Sequence, residues 1–174
     1  MTRATGNLRP ARALLGVHGS TRTHRGGPHM HLPDTTRRRT GTALAALLSA
    51  DGLAHLYWAT GATWPAPSER ALSLAVLGTE VSFAPPVVLP LAALTLTAGA
   101  AVLAHSRHRG GRAARAVTGA VAAGLAVRGL AGLGWAAGLL PSPPGSPFHA
   151  LNLAVYTPAC LGFGWAAARL ARAR

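Results

Sequence analysis

Residues from Gly41 to Ala62, Val87 to Ala104, Ala116 to Leu140 and Leu151 to Leu170 are almost continuously apolar. None of the four runs shows the two-residue alternation of a half-buried strand, and each exceeds the length of a typical strand. A helix needs about 20 residues to cross a hydrocarbon core of about 30 Å, and the runs are of that order. The pattern predicts an all-α fold, an integral membrane four-helix bundle. Pro90 falls in the first turn of the second span, where a missing N–H costs little.

The intervening segments are polar. Trp64 to Pro86 reads as a Pro-containing connection holding Glu69, Arg70 and Glu80. "PSPPGSPFH", Pro141 to His149, has no formal charge and many turn residues, which predicts a tight outer hairpin. Residues 1–40 are rich in Arg, His, Gly, Pro and Thr without apolar periodicity, and are expected to form a disordered extension ahead of a four-span domain at 41–174. "TTRRRTGTALAALLSA" also opens like a Sec or twin-arginine signal, but the apolar character continues through "GLAHLYWATGA" and more membrane follows. Met30 would serve equally well as a start.

Composition agrees with the pattern. Of 174 residues, 49% are hydrophobic and 12% charged. The formal charge of +13 comes from 17 basic residues, all Arg, against Asp34, Asp51, Glu69 and Glu80. A balance this basic can mean nucleic-acid binding, but the arginines flank apolar runs: before Thr40, between His105 and Arg115, and at Arg169, Arg172 and Arg174. That placement is the positive-inside pattern of a multi-pass protein of the bacterial plasma membrane, with both termini cytoplasmic. The expected partners are the lipid bilayer and a homo-oligomer or membrane protein, with no nucleic acid. Trp58, Trp64 and Trp135 then fall near the outer interface and Trp165 near the inner one, as amphipathic anchors. Gly134 and Gly138 have the spacing that lets two helix backbones approach, with Gly124 and Gly129 adding smaller grooves.

Ionisable residues within a span cost roughly 2.5 to 3.5 kcal/mol each on insertion scales and usually face the protein interior or water. Asp51 and His55, one turn apart, share a face of the first span with Trp58; Arg128 lies near the middle of the third. Matching depths along the helices predicts an Asp51–Arg128 pair, with His55 at the level of Tyr156 and Asn152 one turn above Tyr156. This intramembrane polar cluster either locks the helices or forms a small site in which His55 exchanges a proton near neutral pH. No catalytic residue, metal site or cofactor is expected. His24, His29 and His31 lack a fixed geometry, and the lone Cys160 rules out an intrachain disulfide or a thiolate zinc cage.

Taken together, "HLYWATGATW", "VSFAPPVVLPLAAL", "RGLAGLGW" and "LNLAVYTPACLGFG" resemble domain-of-unknown-function family 3995, small multispan membrane proteins largely of actinobacteria. The resemblance covers roughly Ala45 to Leu170. Its recurring pattern fits His55, Tyr57, Trp58, Gly61 and Trp64, then Arg128 and Gly129, then Tyr156, Pro158 and Cys160. It implies a membrane fold and no activity. The expectation is a non-enzymatic structural or partner-binding membrane component. The alternative is a small transporter or proton-coupled sensor using Asp51, His55 and Arg128, with an intramembrane enzyme third.

Overall fold

The computed structural model describes residues 33–141 and 147–173. Helix α1 spans Asp34–Trp58. It begins where the Pro33 carbonyl accepts from the Arg37 amide at 2.9 Å, with Asp34 in the first turn, where the helix dipole favours negative charge. The polar stretch Asp34 to Thr40, expected in the disordered extension, is therefore the opening of α1. Periodicity hid it because the side chain buried there is an arginine, Arg37. Residues 1–32, which contain His24, His29, His31 and Met30, lie outside the described residues.

The connection after α1 contains a helix of its own, α2, Glu69–Leu77. The Ser68 hydroxyl accepts from the Ala71 amide at 3.2 Å, and Gly78 ends the helix at φ +72°. Those are a side-chain N-cap and a left-handed C-terminal glycine. Helix α3, Pro85–Ser106, starts on two prolines, which puts Pro90 inside the helix rather than in its first turn as expected, and α4 covers Gly111–Ala136. The last helix begins as α5, Phe148–Leu151, passes through a π-helical turn at Asn152–Tyr156, and continues as α6, Thr157–Arg172. Pro158 explains the π-turn: it lacks the amide an α-helix would use and its ring crowds the preceding turn, so the chain widens there. The described part of the expected Pro141–His149 hairpin is limited to Pro141 and residues 147–149.

The described residues are helical, with no strand among them. Helices α3 and α4 are long and apolar enough to cross a membrane. Helix α1 is diluted by Arg37, Arg38, Arg39, Asp51 and His55, and the last helix by its π-turn and by Arg169 and Arg172. Helix α1 packs along α3, α4 along α6, α3 against α4, and α1 against α6. Leu44, Val102, Ala122, Ala167 and Leu170 form a buried cluster to which all four contribute.

Helix α4 packs tightly on the last helix at Gly132, where a Cβ would collide with the Thr157 hydroxyl. Within one chain, Gly134 and Gly138 do not pack against another of the described helices. Among the described residues a Cβ on Gly134 would meet only Leu140, just beyond the same helix, at 3.3 Å. Gly138 lies past the end of α4 at φ +72°, in a Schellman closure where Leu139 N donates to Gly134 O at 2.8 Å. Gly124 is open as well, whereas Gly129 does pack, against Leu161.

Three Arg-rich segments meet at one end of this arrangement. Arg37 is 3% exposed; its Nη2 donates to the His105 carbonyl at 2.7 Å and its Nη1 to the Ala173 carbonyl at 3.1 Å. One guanidinium thus caps the C-termini of α3 and α6, where the dipole favours a cation. His105 adds a 3.1 Å contact from Nε2 to the Leu170 carbonyl, and His108 lies 3.5 Å from Asp34.

Candidate functional site

At the opposite end, the π-turn carries the polar centre. Asn152 is fully buried. Its Nδ2 donates to the Gly132 carbonyl at 2.8 Å, and its Oδ1 accepts from Arg128 Nη1 at 3.1 Å and from the Thr157 hydroxyl at 3.3 Å. The absent Cβ of Gly132 makes room for this. The Arg128 guanidinium also lies 5.3 Å from the ring centre of Trp135, 5.7 Å from Tyr156 and 5.9 Å from Phe148. Three ring faces and an amide oxygen stabilise a partly desolvated cation, guanidinium being weakly hydrated and able to stack.

Asp51 does not pair with Arg128. Its carboxylate instead has His55 Nδ1 at 3.6 Å, and the same nitrogen donates to the Asp51 carbonyl at 2.8 Å. Similar depth is not similar direction: α1 and α4 sit diagonally, each packed on α3 and α6, and Asn152 on the last helix occupies the position facing Arg128. Nor do His55 and Tyr156 bond. Tyr156 Oη donates to the Ala75 carbonyl of α2 at 3.4 Å, while His55 stands edge-on to Trp58 with ring centres 5.4 Å apart. The five expected cluster residues therefore divide into Arg128, Asn152 and Tyr156 on one side and Asp51 with His55 on the other.

A cavity of about 780 Å³ lies between the two groups. Asp51, Trp58 and Tyr156 reach it from α1 and the π-turn, and the apolar side of α2, including Leu72 and Ala75, forms one wall of what is a half-open hollow. The Asp51 side chain is half exposed. The walls are otherwise Pro, Ala, Val and Leu, so a carboxylate and a phenol are the polar marks on an apolar chamber.

Helix α2 is held over this chamber by groups that sequence reasoning left in a loop. Glu69 Oε1 accepts from the Phe83 amide at 2.6 Å and the Ser82 hydroxyl at 3.2 Å. Arg70 pairs with Glu80 at 2.7 Å, and the Ser73 hydroxyl donates to Thr79 O and accepts from Val81 N. Phe148, fully buried, fits beneath Gly78, where a Cβ would lie 2.7 Å from its ring. The Ser68 and Gly78 caps were the available signal for α2.

The aromatic residues divide too. Trp64 and Trp165 are 74% and 64% exposed, and Trp165 stacks 4.9 Å from the Arg169 guanidinium. Trp58 packs on Phe83 and donates to the Trp64 carbonyl at 3.1 Å; Trp135 packs on Phe148 and donates to Pro141 at 3.2 Å. Among the described residues no three His, Cys, Asp or Glu side chains come together as a metal site would require, and Cys160 is a free thiol.

The fold and this centre define a helical protein that, among the described residues, has two helices apolar enough to cross a membrane, a half-buried Arg128 bonded to the buried Asn152, and an apolar cavity reached by Tyr156 from the same turn. The family described as "Protein of unknown function (DUF3995)" matches residues 46–167, and the chain belongs to it. No curated protein and no solved structure matches the chain.

Proposed function

We propose that this is a multi-pass protein of the bacterial plasma membrane, a four-span helical bundle with both termini cytoplasmic. It works without catalysis, as a binding component whose outer half receives a partner. Only 28% and 22% of the apolar windows of α3 and α4 are buried, whereas the core helix of a soluble protein would be mostly enclosed. Exposed Leu53, Leu94, Val127, Leu130 and Leu153 have lipid as their natural solvent. The convergence of the Arg-rich segments at one end supports a cytoplasmic location for that end under the positive-inside rule. Reporter fusions at Arg115 and Leu140 give opposite signals in this topology; matching signals would remove it.

The cavity carries the functional reading. Its 780 Å³ is within the range of small-molecule sites, and an apolar chamber with few polar groups is their usual form. Asp51 selects an apolar molecule or partner segment that bears a basic or hydrogen-bond-donating group. Dodecylamine should therefore raise the melting temperature of the detergent-solubilised protein more than dodecanol does. Asp51→Asn should abolish the difference, and equal responses in the unmodified protein would sink the assignment.

A second reading, a proton-coupled sensor or transporter, draws on His55 at 3.6 Å from the Asp51 carboxylate. It loses Arg128, which is engaged by Asn152. His55→Ala discriminates: the binding reading keeps the amine effect, whereas proton coupling requires its pH dependence to disappear.

A further inference from the structure

A groove runs along the surface of α4 and α6 from the Arg-rich end. Arg112 and Arg115 in the first turns of α4 and Arg172 in the last turn of α6 stand at its mouth; Gly119, Ala123 and Ala126 line it further in. Its volume is about 730 Å³. At 1.5 Å per residue, Arg112 to Ala126 covers roughly 21 Å of helix. One leaflet contributes about half of a hydrocarbon core of about 30 Å, so the groove spans the apolar depth of that leaflet. Small side chains create it, and a Cβ added at Gly119 would meet nothing within 4 Å.

The mouth is electrostatically incomplete. None of the three arginines takes part in the ion pairs found among the described residues, and the nearby acid, Asp34, is engaged by His108. A second hollow of about 310 Å³ shares Arg112 and Arg115 and is lined also by Arg37, His105, His108 and Arg109. The first turn of α4 has no side-chain cap, so its amides add the positive end of a dipole to the same place. Cations that line one mouth repel, and an anion among them relieves the repulsion.

We propose that the groove holds one anionic phospholipid, its phosphate among Arg112, Arg115 and Arg172 and an acyl chain along Gly119 to Ala126. The site rests on the membrane reading above. A zwitterionic lipid fits less well because its ammonium would face the same arginines. The shape requires a tail as well as a phosphate, which separates this ligand from free phosphate.

Native mass spectrometry of the detergent-purified full chain, with phosphatidylglycerol or phosphatidylcholine added to the micelles, tests this. Phosphatidylglycerol should remain bound as a single copy at lipid concentrations where phosphatidylcholine is lost. Each of Arg112→Gln, Arg115→Gln and Arg172→Gln should weaken retention by roughly fivefold, the effect of about 1 kcal/mol per basic residue near an anionic surface. Ala123→Leu keeps every charge and fills the groove, so it should also reduce retention. Equal retention of the two lipids, or a preference that survives all three arginine changes, overturns the site. Full competition by inorganic phosphate together with an unaffected Ala123→Leu would assign the mouth to a free anion instead. Alkaline carbonate extraction tests the underlying reading separately: release of the protein from membranes removes the membrane assignment, whereas retention without lipid preference removes only the site.

Discussion

Arg128 on α4 donates to Asn152 in the π-turn of the last helix across 3.1 Å, and Asn152 turns its amide to Gly132 on α4 at 2.8 Å. One buried amide thus ties two helices by donating and accepting at once. The tie depends on three local features: the turn widened before Pro158, the missing side chain of Gly132, and rings that hold the guanidinium in place.

Removing that amide should be costly. Asn152→Ala strips Arg128 of its hydrogen bond to a protein group among the described residues, and bonds to charged groups are worth about 1.5 to 3 kcal/mol. A thermal melt in detergent should show a loss of that size. Asn152→Asp keeps an acceptor for Arg128 and should fall less far. A melt of Asn152→Ala indistinguishable from the unmodified protein would show that the bond contributes nothing.

Asp51 and Arg128 should behave as independent sites. Their partners differ, His55 for one and Asn152 for the other, so the stability changes of Asp51→Asn and Arg128→Gln should add to within about 0.5 kcal/mol in the double variant. Rescue of either single change by the other would restore the direct pair that matched depths suggested.

Sequence resolved what depends on length and apolarity and missed what depends on direction. The runs at Val87 to Ala104 and Ala116 to Leu140 became α3 and α4 with ends shifted by a few residues, because a long apolar run has few other solutions. The members of the polar centre were legible because charge and amide within apolar runs are conspicuous. Their pairing was not. Depth along a helix follows from counting residues, whereas the angle around it depends on which helices are neighbours and on a π-turn that shifts the facing of every residue around Asn152. Helix α2 is nine residues long and too short for periodicity to register, although Ser68 and Gly78 marked its ends. The role of Arg37 is not legible in sequence because a buried arginine at a helix start looks the same there as a solvated one.

The glycines give a sharper test of direction. Gly132→Ala places a methyl group against the Thr157 hydroxyl and should destabilise by about 1 to 3 kcal/mol, as overpacking does. Gly134→Ala, two residues away, meets only the flexible Leu140 side chain among the described residues and should be neutral or slightly stabilising through helix propensity. If Gly134→Ala proved the more harmful in detergent melts, the helix-packing face would be the one that spacing alone had suggested.

Arg37 is expected to be the most sensitive basic residue at the Arg-rich end. It is 3% exposed and bonds two carbonyls at the ends of α3 and α6, whereas Arg38 and Arg39 beside it are exposed. Arg37→Gln removes a charge from the point where two helix dipoles end and takes a charged donor from each carbonyl, although His105 O keeps the His108 amide at 3.1 Å. A loss of about 3 kcal/mol follows from two charge-assisted bonds at roughly 1.5 kcal/mol or more each. Arg37→Lys keeps the charge but not the planar fork that reaches both carbonyls, so it should fall between. Arg38→Gln and Arg39→Gln should stay within about 0.5 kcal/mol of the unmodified protein, as surface changes do. A chain beginning at Met30 retains Arg37 and should melt with the full-length protein. Melting curves of these variants in one detergent check the ordering, and a harmless Arg37→Gln would show that the two carbonyls are satisfied without the guanidinium.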